Sequence, residues 1–231
     1  MKSVNFITAI GTPLTEEEAL HDEGLEKHLT DQWGYGFGGI LVAGTMGALQ
    51  LLTDDTYHRV IERAVELSRG KGEVLVGAGD AGFARTRDRI RYINNFDVDG
   101  VAVLAPYFWT FSQSELVDYF KSLADISKAP LYLYDLPQVV GVGLTTQSMD
   151  ELAKHSNIRG AKCSGDLKQT RQWIDRYGDD FRIIIANVEL MDMIAHHGFR
   201  ELLDGMWAMA PAWTQGVDLG GRRNIKKKTA S

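Results

Sequence analysis

The sequence predicts an α/β fold, a (β/α)8 TIM barrel, on three observations. Eight short runs of β-branched and apolar residues are bounded by turn residues, most of these runs are apolar without interruption, and segments with helical spacing lie between them. Uninterrupted runs such as Gly39-Ile40-Leu41-Val42-Ala43 suit strands buried on both faces of a parallel sheet, and they disfavour an antiparallel sheet with one wet face. Strand starts recur about every 28 residues, room for one strand, one helix and two short loops.

The first strand is read at Val4 to Ile10. Thr15 and Glu18 have capping-box spacing, but Gly24 and the acids between them move the first helix to Asp22 through about Trp33. A second strand, Gly39 to Ala43, precedes a helix whose apolar face is Tyr57, Val60, Ile61, Ala64 and Leu67. The third strand, Glu73 to Gly77, runs into Gly77-Ala78-Gly79-Asp80-Ala81-Gly82, which matches G-x-G-x-x-G. No acidic residue ends a strand about 20 residues further on, so a doubly wound nucleotide-binding sheet is the weaker alternative. After the fourth strand, Gly100 to Ala105, Ser112 and Glu115 form a capping box that opens a helix carrying Leu116, Tyr119, Phe120 and Leu123. Leu131 to Tyr134, Ile158 to Ala161, Arg182 to Ala186 and Leu203 to Ala208 complete the eight strands.

Composition bounds the function. A chain of 231 residues, 44% apolar and 24% charged, can bury a large core, and a net charge of −6 argues against nucleic acid as a partner. Cys163 is the sole cysteine, so no intrachain disulfide forms and a reducing compartment is expected. The first ten residues lack a secretory pattern and no run reaches 18 apolar residues, so a soluble cytoplasmic protein without a membrane partner is expected. The barrel domain is assigned to residues 1–211, and residues 212–231 to a short basic tail. Gly216, Gly220 and Gly221 would each cost a helix there about 1 kcal/mol, so an eighth outer helix is not expected. Apolar surface left uncovered in this way predicts aggregation, burial in an oligomer or marginal stability, and a homo-oligomer, a dimer or tetramer, is expected.

Reactive groups of a parallel barrel sit at the C-terminal ends of its strands. Those ends carry Thr12, Gly44-Thr45-Met46-Gly47, Asp80, Tyr107, Tyr134-Asp135, Lys162, Asn187 with Glu189, and Trp213. Lys162 stands out, because taking an ammonium out of water costs several kcal/mol unless it is paired or neutral. A neutral amine attacks ketones, which gives a lone lysine in a barrel mouth a chemical purpose; pairing with Asp135 or Asp166 is the structural alternative. Cys163 follows Lys162 along the strand and so faces the opposite side, as a packed thiol. His196 and His197 are adjacent and diverge on a helix, so no metal site is expected.

Gly44-Thr45-Met46-Gly47, Tyr134-Asp135-Leu136-Pro137 and Gly160-Ala161-Lys162-Cys163-Ser164-Gly165-Asp166 resemble the G-T-T-G-E, Y-N-x-P and G-x-K-x-S-x-G/D signatures of the dihydrodipicolinate synthase and N-acetylneuraminate lyase family. The resemblance runs from about Phe6 to Trp213. It implies a pyruvate-dependent class I aldolase or lyase in which Lys162 forms the Schiff base with a small 2-oxo acid or 2-oxo sugar acid, needing no separate cofactor. Tyr134 would carry the proton, Thr45 would orient it, and the amides of Thr45 and Met46, held between Gly44 and Gly47, would bind the substrate carboxylate. Tyr107, Val139 and Asn187 are assigned to the substrate region.

The pattern also departs from the family. Met46 replaces a threonine and Ala48 a glutamate; Phe108 stands where many members carry a relay tyrosine, which Tyr107 replaces only if the loop shifts. Val139 replaces the arginine with which dihydrodipicolinate synthases hold the carboxylate of aspartate semialdehyde, and an isopropyl group cannot mimic a bidentate guanidinium. A lyase or aldolase acting on a 2-oxo sugar acid, or on a pyruvate adduct of a less charged aldehyde, is therefore expected. The alternatives are a catalytically impaired, shortened barrel serving as an interaction protein, and a Schiff-base dehydratase of a deoxy-oxo sugar acid.

Overall fold

The structure is a computed structural model that describes residues 5–187 and 201–205. Eight parallel strands close into a barrel in chain order: β1 (Asn5–Ala9), β2 (Gly39–Val42), β3 (Glu73–Gly77), β4 (Gly100–Leu104), β5 (Leu131–Asp135), β6 (Ile158–Cys163), β7 (Arg182–Ile185) and β8 (Glu201–Asp204). Closure is made by β8 on β1, with Asn5 opposite Glu201 and Thr8 opposite Asp204. The expected (β/α)8 barrel is therefore present. Two strands run longer than expected at their C-terminal ends, so that Asp135, Lys162 and Cys163 are in the sheet, and β8 begins two residues before Leu203. The expected tail, in which no eighth helix is expected, and Glu189, His196, His197 and Trp213 lie outside the described residues.

The helices follow the local signals. α1 (Asp22–Gly34) starts where His21 Nδ1 accepts the Gly24 amide. α2 (Asp54–Ser68) is capped by Thr53 and buries Tyr57, Val60, Ile61 and Ala64, a stripe at helical spacing worth about 1.5–3 kcal/mol for each large side chain. α3 (Phe83–Ile93) follows the glycine-rich segment, in which Gly77 and Gly79 serve packing: a Cβ on Gly79 would sit 2.8 Å from the Leu104 nitrogen and one on Gly77 would collide with the Ala43 carbonyl. α4 (Gln113–Ala124) opens with the Ser112–Glu115 capping box. A short α5 (Pro137–Val140) precedes α6 (Thr146–Leu152), and α7 (Leu167–Tyr177) is capped by Asp166.

Strand alternation divides the core in two. Outward residues such as Val42, Val76, Val103, Leu133 and Cys163 pack against the helices, while Ile7, Leu41, Leu75, Tyr132, Ile184 and Leu203 fill the barrel. Tyr132 fits because its neighbours in the same layer are glycines: a Cβ on Gly100 would lie 2.5 Å from its ring and one on Gly160 2.9 Å. Below that layer Arg182 bridges Glu73 and Glu201, and Asn5 donates to Glu201 at 3.0 Å. These polar groups close the N-terminal end of the barrel and leave the opposite end as the mouth.

Candidate active site

Lys162 comes up from β6 into the mouth and is 5% exposed. It stands opposite Tyr134 of β5 in the strand register, which places its Nζ 3.6 Å from the centre of the Tyr134 ring. Ser164 Oγ lies 3.4 Å from the same nitrogen. Neither acid that could have paired with Lys162 does so. Asp166 accepts the Gln169 amide as the α7 cap, and Asp135 points to the helix side, where it accepts the Leu144 amide at 3.0 Å. Burial raises the Asp135 carboxyl above its usual range against the pull of that amide. Cys163 is fully buried on the outer face, and desolvation pushes its thiol far above the usual range, so it is a packed, inert group.

The Tyr134 hydroxyl and Thr45 Oγ1 are 3.0 Å apart, and either can donate. Thr45 belongs to the turn after β2, whose shape is set by left-handed backbone at Ala43 (φ 50°) and Ala48 (φ 57°) rather than at its glycines. Gly47 is needed for close approach: a Cβ there would meet the Ala43 backbone at 3.1 Å, and its carbonyl accepts Thr12 Oγ1 at 2.7 Å. A Cβ on Gly44 would press Leu41 at 3.0 Å. Among the described residues the Thr45 and Met46 amides donate to no protein acceptor, and such neighbouring amides in a turn suit an anion. The Met46 side chain lies over Gly205 at the end of β8, where a larger residue would collide with it.

These groups line a cleft of about 380 Å³ with Ala9, Leu136, Gln138, Ser164, Ala186, Asn187, Leu203 and Asp204. Of the residues singled out from sequence, Thr45, Met46, Tyr134, Lys162 and Asn187 meet there, with Gly44 and Gly47 buried in the supporting turn. Tyr107 and Val139 do not join them. Tyr107 stands beside Asp80, where burial and then that carboxylate raise its phenol, and Val139 is 55% exposed outside the cleft. Phe108 is 85% exposed at a φ of 92°. Gln138 was not singled out from sequence, although it neighbours Val139 in the same loop: its Nε2 donates to the Ser164 carbonyl at 2.6 Å, and the one-residue offset turns Gln138 inward. Ser164 was legible as part of a motif but not as a neighbour of the amine.

A model of the dihydrodipicolinate synthetase family matches residues 2–216. The 4-hydroxy-tetrahydrodipicolinate synthase of an Exiguobacterium species is 30% identical over 181 residues, covering 78% of this chain and 62% of that relative. The Exiguobacterium sibiricum synthase is 26% identical over 211 residues, covering 91% and 72%. This chain thus spans less than two thirds of the first relative's length. Among solved structures, a dihydrodipicolinate synthase superposes with a TM-score of 0.82 at 25% identity, covering 90% of this chain and 72% of that one. A catalytic-lysine mutant of a Ruminococcus gnavus sialic acid aldolase gives 0.85 at 18% identity, covering 90% and 69%, which is a likeness of fold.

Proposed function

The chain belongs to the dihydrodipicolinate synthetase family, and from that premise we propose that it is a Schiff-base lyase or aldolase acting on pyruvate or a 2-oxo acid through Lys162. Members of the family are pyruvate-dependent Schiff-base lyases and aldolases. The observation that carries the reading is the meeting of a buried lysine, ion-paired to no carboxylate among the described residues, with a tyrosine that is hydrogen-bonded to a threonine at the barrel mouth.

The Lys162 amine adds to the keto carbon, forming the C–N bond as the carbonyl π bond opens. The oxygen leaves as water, taking one proton from the amine nitrogen and one from Tyr134. The iminium then draws electrons from the bond beyond the adjacent carbon. As that bond breaks, the hydroxyl on the departing carbon returns its proton to Tyr134 and an aldehyde leaves; Tyr134 gives that proton to the enamine carbon and recovers one from the water that frees the lysine. Thr45 orients the Tyr134 hydroxyl throughout, and the Thr45 and Met46 amides hold the carboxylate. No separate cofactor takes part. Val139, outside the cleft and without charge, offers no grip on a second carboxylate.

Borohydride reduction in the presence of pyruvate is expected to leave a covalent pyruvyl adduct on the peptide carrying Lys162, and Lys162→Ala to abolish it. Folded wild-type protein that stays unmodified would refute the assignment, as the reading of the chain as a non-catalytic interaction protein requires.

A further inference from the structure

The turn after β2 that offers the Thr45 and Met46 amides is strained. Ala43 and Ala48, at its two ends, hold φ of 50° and 57° although neither is glycine, and such backbone persists only where its surroundings impose it. Gly77 on β3 leaves room for the Ala43 carbonyl, and the turn closes on itself through the Ala48 amide on the Thr45 carbonyl at 3.2 Å and the Leu49 amide on the Gly44 carbonyl at 3.3 Å. Among the described residues two side chains from elsewhere in the chain hydrogen-bond to it. Tyr134 meets Thr45 Oγ1 at 3.0 Å, and Thr12, 1% exposed after β1, donates its hydroxyl to the Gly47 carbonyl at 2.7 Å. That carbonyl accepts from no other protein donor among the described residues.

Resting on the Schiff-base reading above, we propose that Thr12 is a positioning residue: its bond to the Gly47 carbonyl holds the turn in the shape that lets the Thr45 and Met46 amides bind the substrate carboxylate. Thr12 does not line the cleft, so it acts through the turn alone. Met46 brings a thioether and no hydroxyl to the cleft, so at that position the backbone amide is the donor left to meet the anion, and its direction is set by the turn. Without the Thr12 hydroxyl the carbonyl of the buried Gly47 is unpaired, and the turn satisfies it only by moving, which draws the two amides apart. Tyr134 does not make up the loss, because its bond is to the Thr45 side chain at the other side of the turn.

The test measures borohydride trapping on Lys162 over a range of concentrations of pyruvate and of pyruvamide, which has the same keto carbon and no charge. The two half-saturating concentrations are compared within each protein, so that the folded fraction and any change at the amine cancel. Thr12→Val, of the same shape without the donor, is expected to raise the half-saturating concentration of pyruvate about tenfold, the effect of one lost hydrogen bond, and to leave that of pyruvamide little changed. Thr12→Ser, which keeps the hydroxyl, should match wild type. Should Thr12→Val fail to fold, Thr12→Ala, which also lacks the hydroxyl and adds no bulk, is expected to give the same shift. Hydroxyl-free variants that bind pyruvate as wild type does, equal rises for pyruvate and pyruvamide, or a Thr12→Ser as weak as Thr12→Val overturn the inference while leaving the Schiff base intact. Failure to trap pyruvate on wild-type Lys162 removes the Schiff base, and this inference with it.

Discussion

Lys162 and Cys163 are neighbours in sequence that experience different media. The amine faces the mouth against the Tyr134 ring, and the thiol faces the helix layer, fully buried in the apolar core beside Asp135. Strand alternation alone separates them, which is why the contrast is legible in the sequence. His28 shows what is not. It sits on the inner face of α1, 5% exposed, with Nε2 unpaired among the described residues, and burial lowers its pKa from 6.5 to about 4 against the opposing pull of Asp31. The unfolded chain therefore binds a proton near pH 6.5 that the folded chain refuses until about pH 4. The stability that neutral His28 allows is complete above pH 6.5 and is lost as pH falls towards 4, by up to about 3 kcal/mol. Urea unfolding at pH 7 and pH 4.5 should show His28→Leu with a shallower loss than wild type; equal losses would show that His28 carries no such linkage.

At the scale of elements, α4 was readable in full because its signals are local. Ser112 Oγ accepts the Glu115 amide at 3.3 Å and the Glu115 carboxylate accepts the Ser112 amide at 2.8 Å, while Leu116, Tyr119, Phe120 and Leu123 make the buried stripe. Ser112→Ala is expected to cost about 1 kcal/mol by removing an N-cap, read as a lower urea midpoint with an unchanged slope. A variant as stable as wild type would mean the exposed end of α4 frays without consequence. The segment between β5 and β6 was less readable. Pro137 starts the short α5, Gly141 ends it with a φ of 76°, and Asp135 ties the return of the chain at Leu144. That knot decides which of Gln138 and Val139 faces the cleft, and no periodicity in five residues could announce it.

At the scale of the molecule, exposed apolar side chains occur after three successive strands: Leu51 after β2, Phe83 at the start of α3, and Phe108 with Trp109 after β4. Trp109 is 71% exposed and meets Phe108 edge-on at 5.4 Å. A patch of this kind favours burial in self-association. Sedimentation velocity is expected to show an oligomer that Phe108→Asp with Trp109→Ser dissociates; an unaltered sedimentation coefficient would place the interface elsewhere. At the other end of the barrel, Arg182 joins Glu73, 109 residues away in sequence, to Glu201. Removing one member would strand charge in a half-buried site, so these residues matter to closure although no motif contains them.

The sequence by itself determined the parallel barrel, the starts of α1 and α4 and the placing of Thr45, Tyr134 and Lys162 at strand ends, because each rests on local spacing or on alternation along one strand. Only the tertiary structure decided which strand-end residues meet. It brought Gln138, Ser164 and Asp204 beside Lys162 and left Tyr107 and Val139 out of the cleft. Convergence depends on the register of eight strands and on loop knots such as Asp135 to Leu144, and those arise from contacts between segments far apart in the chain.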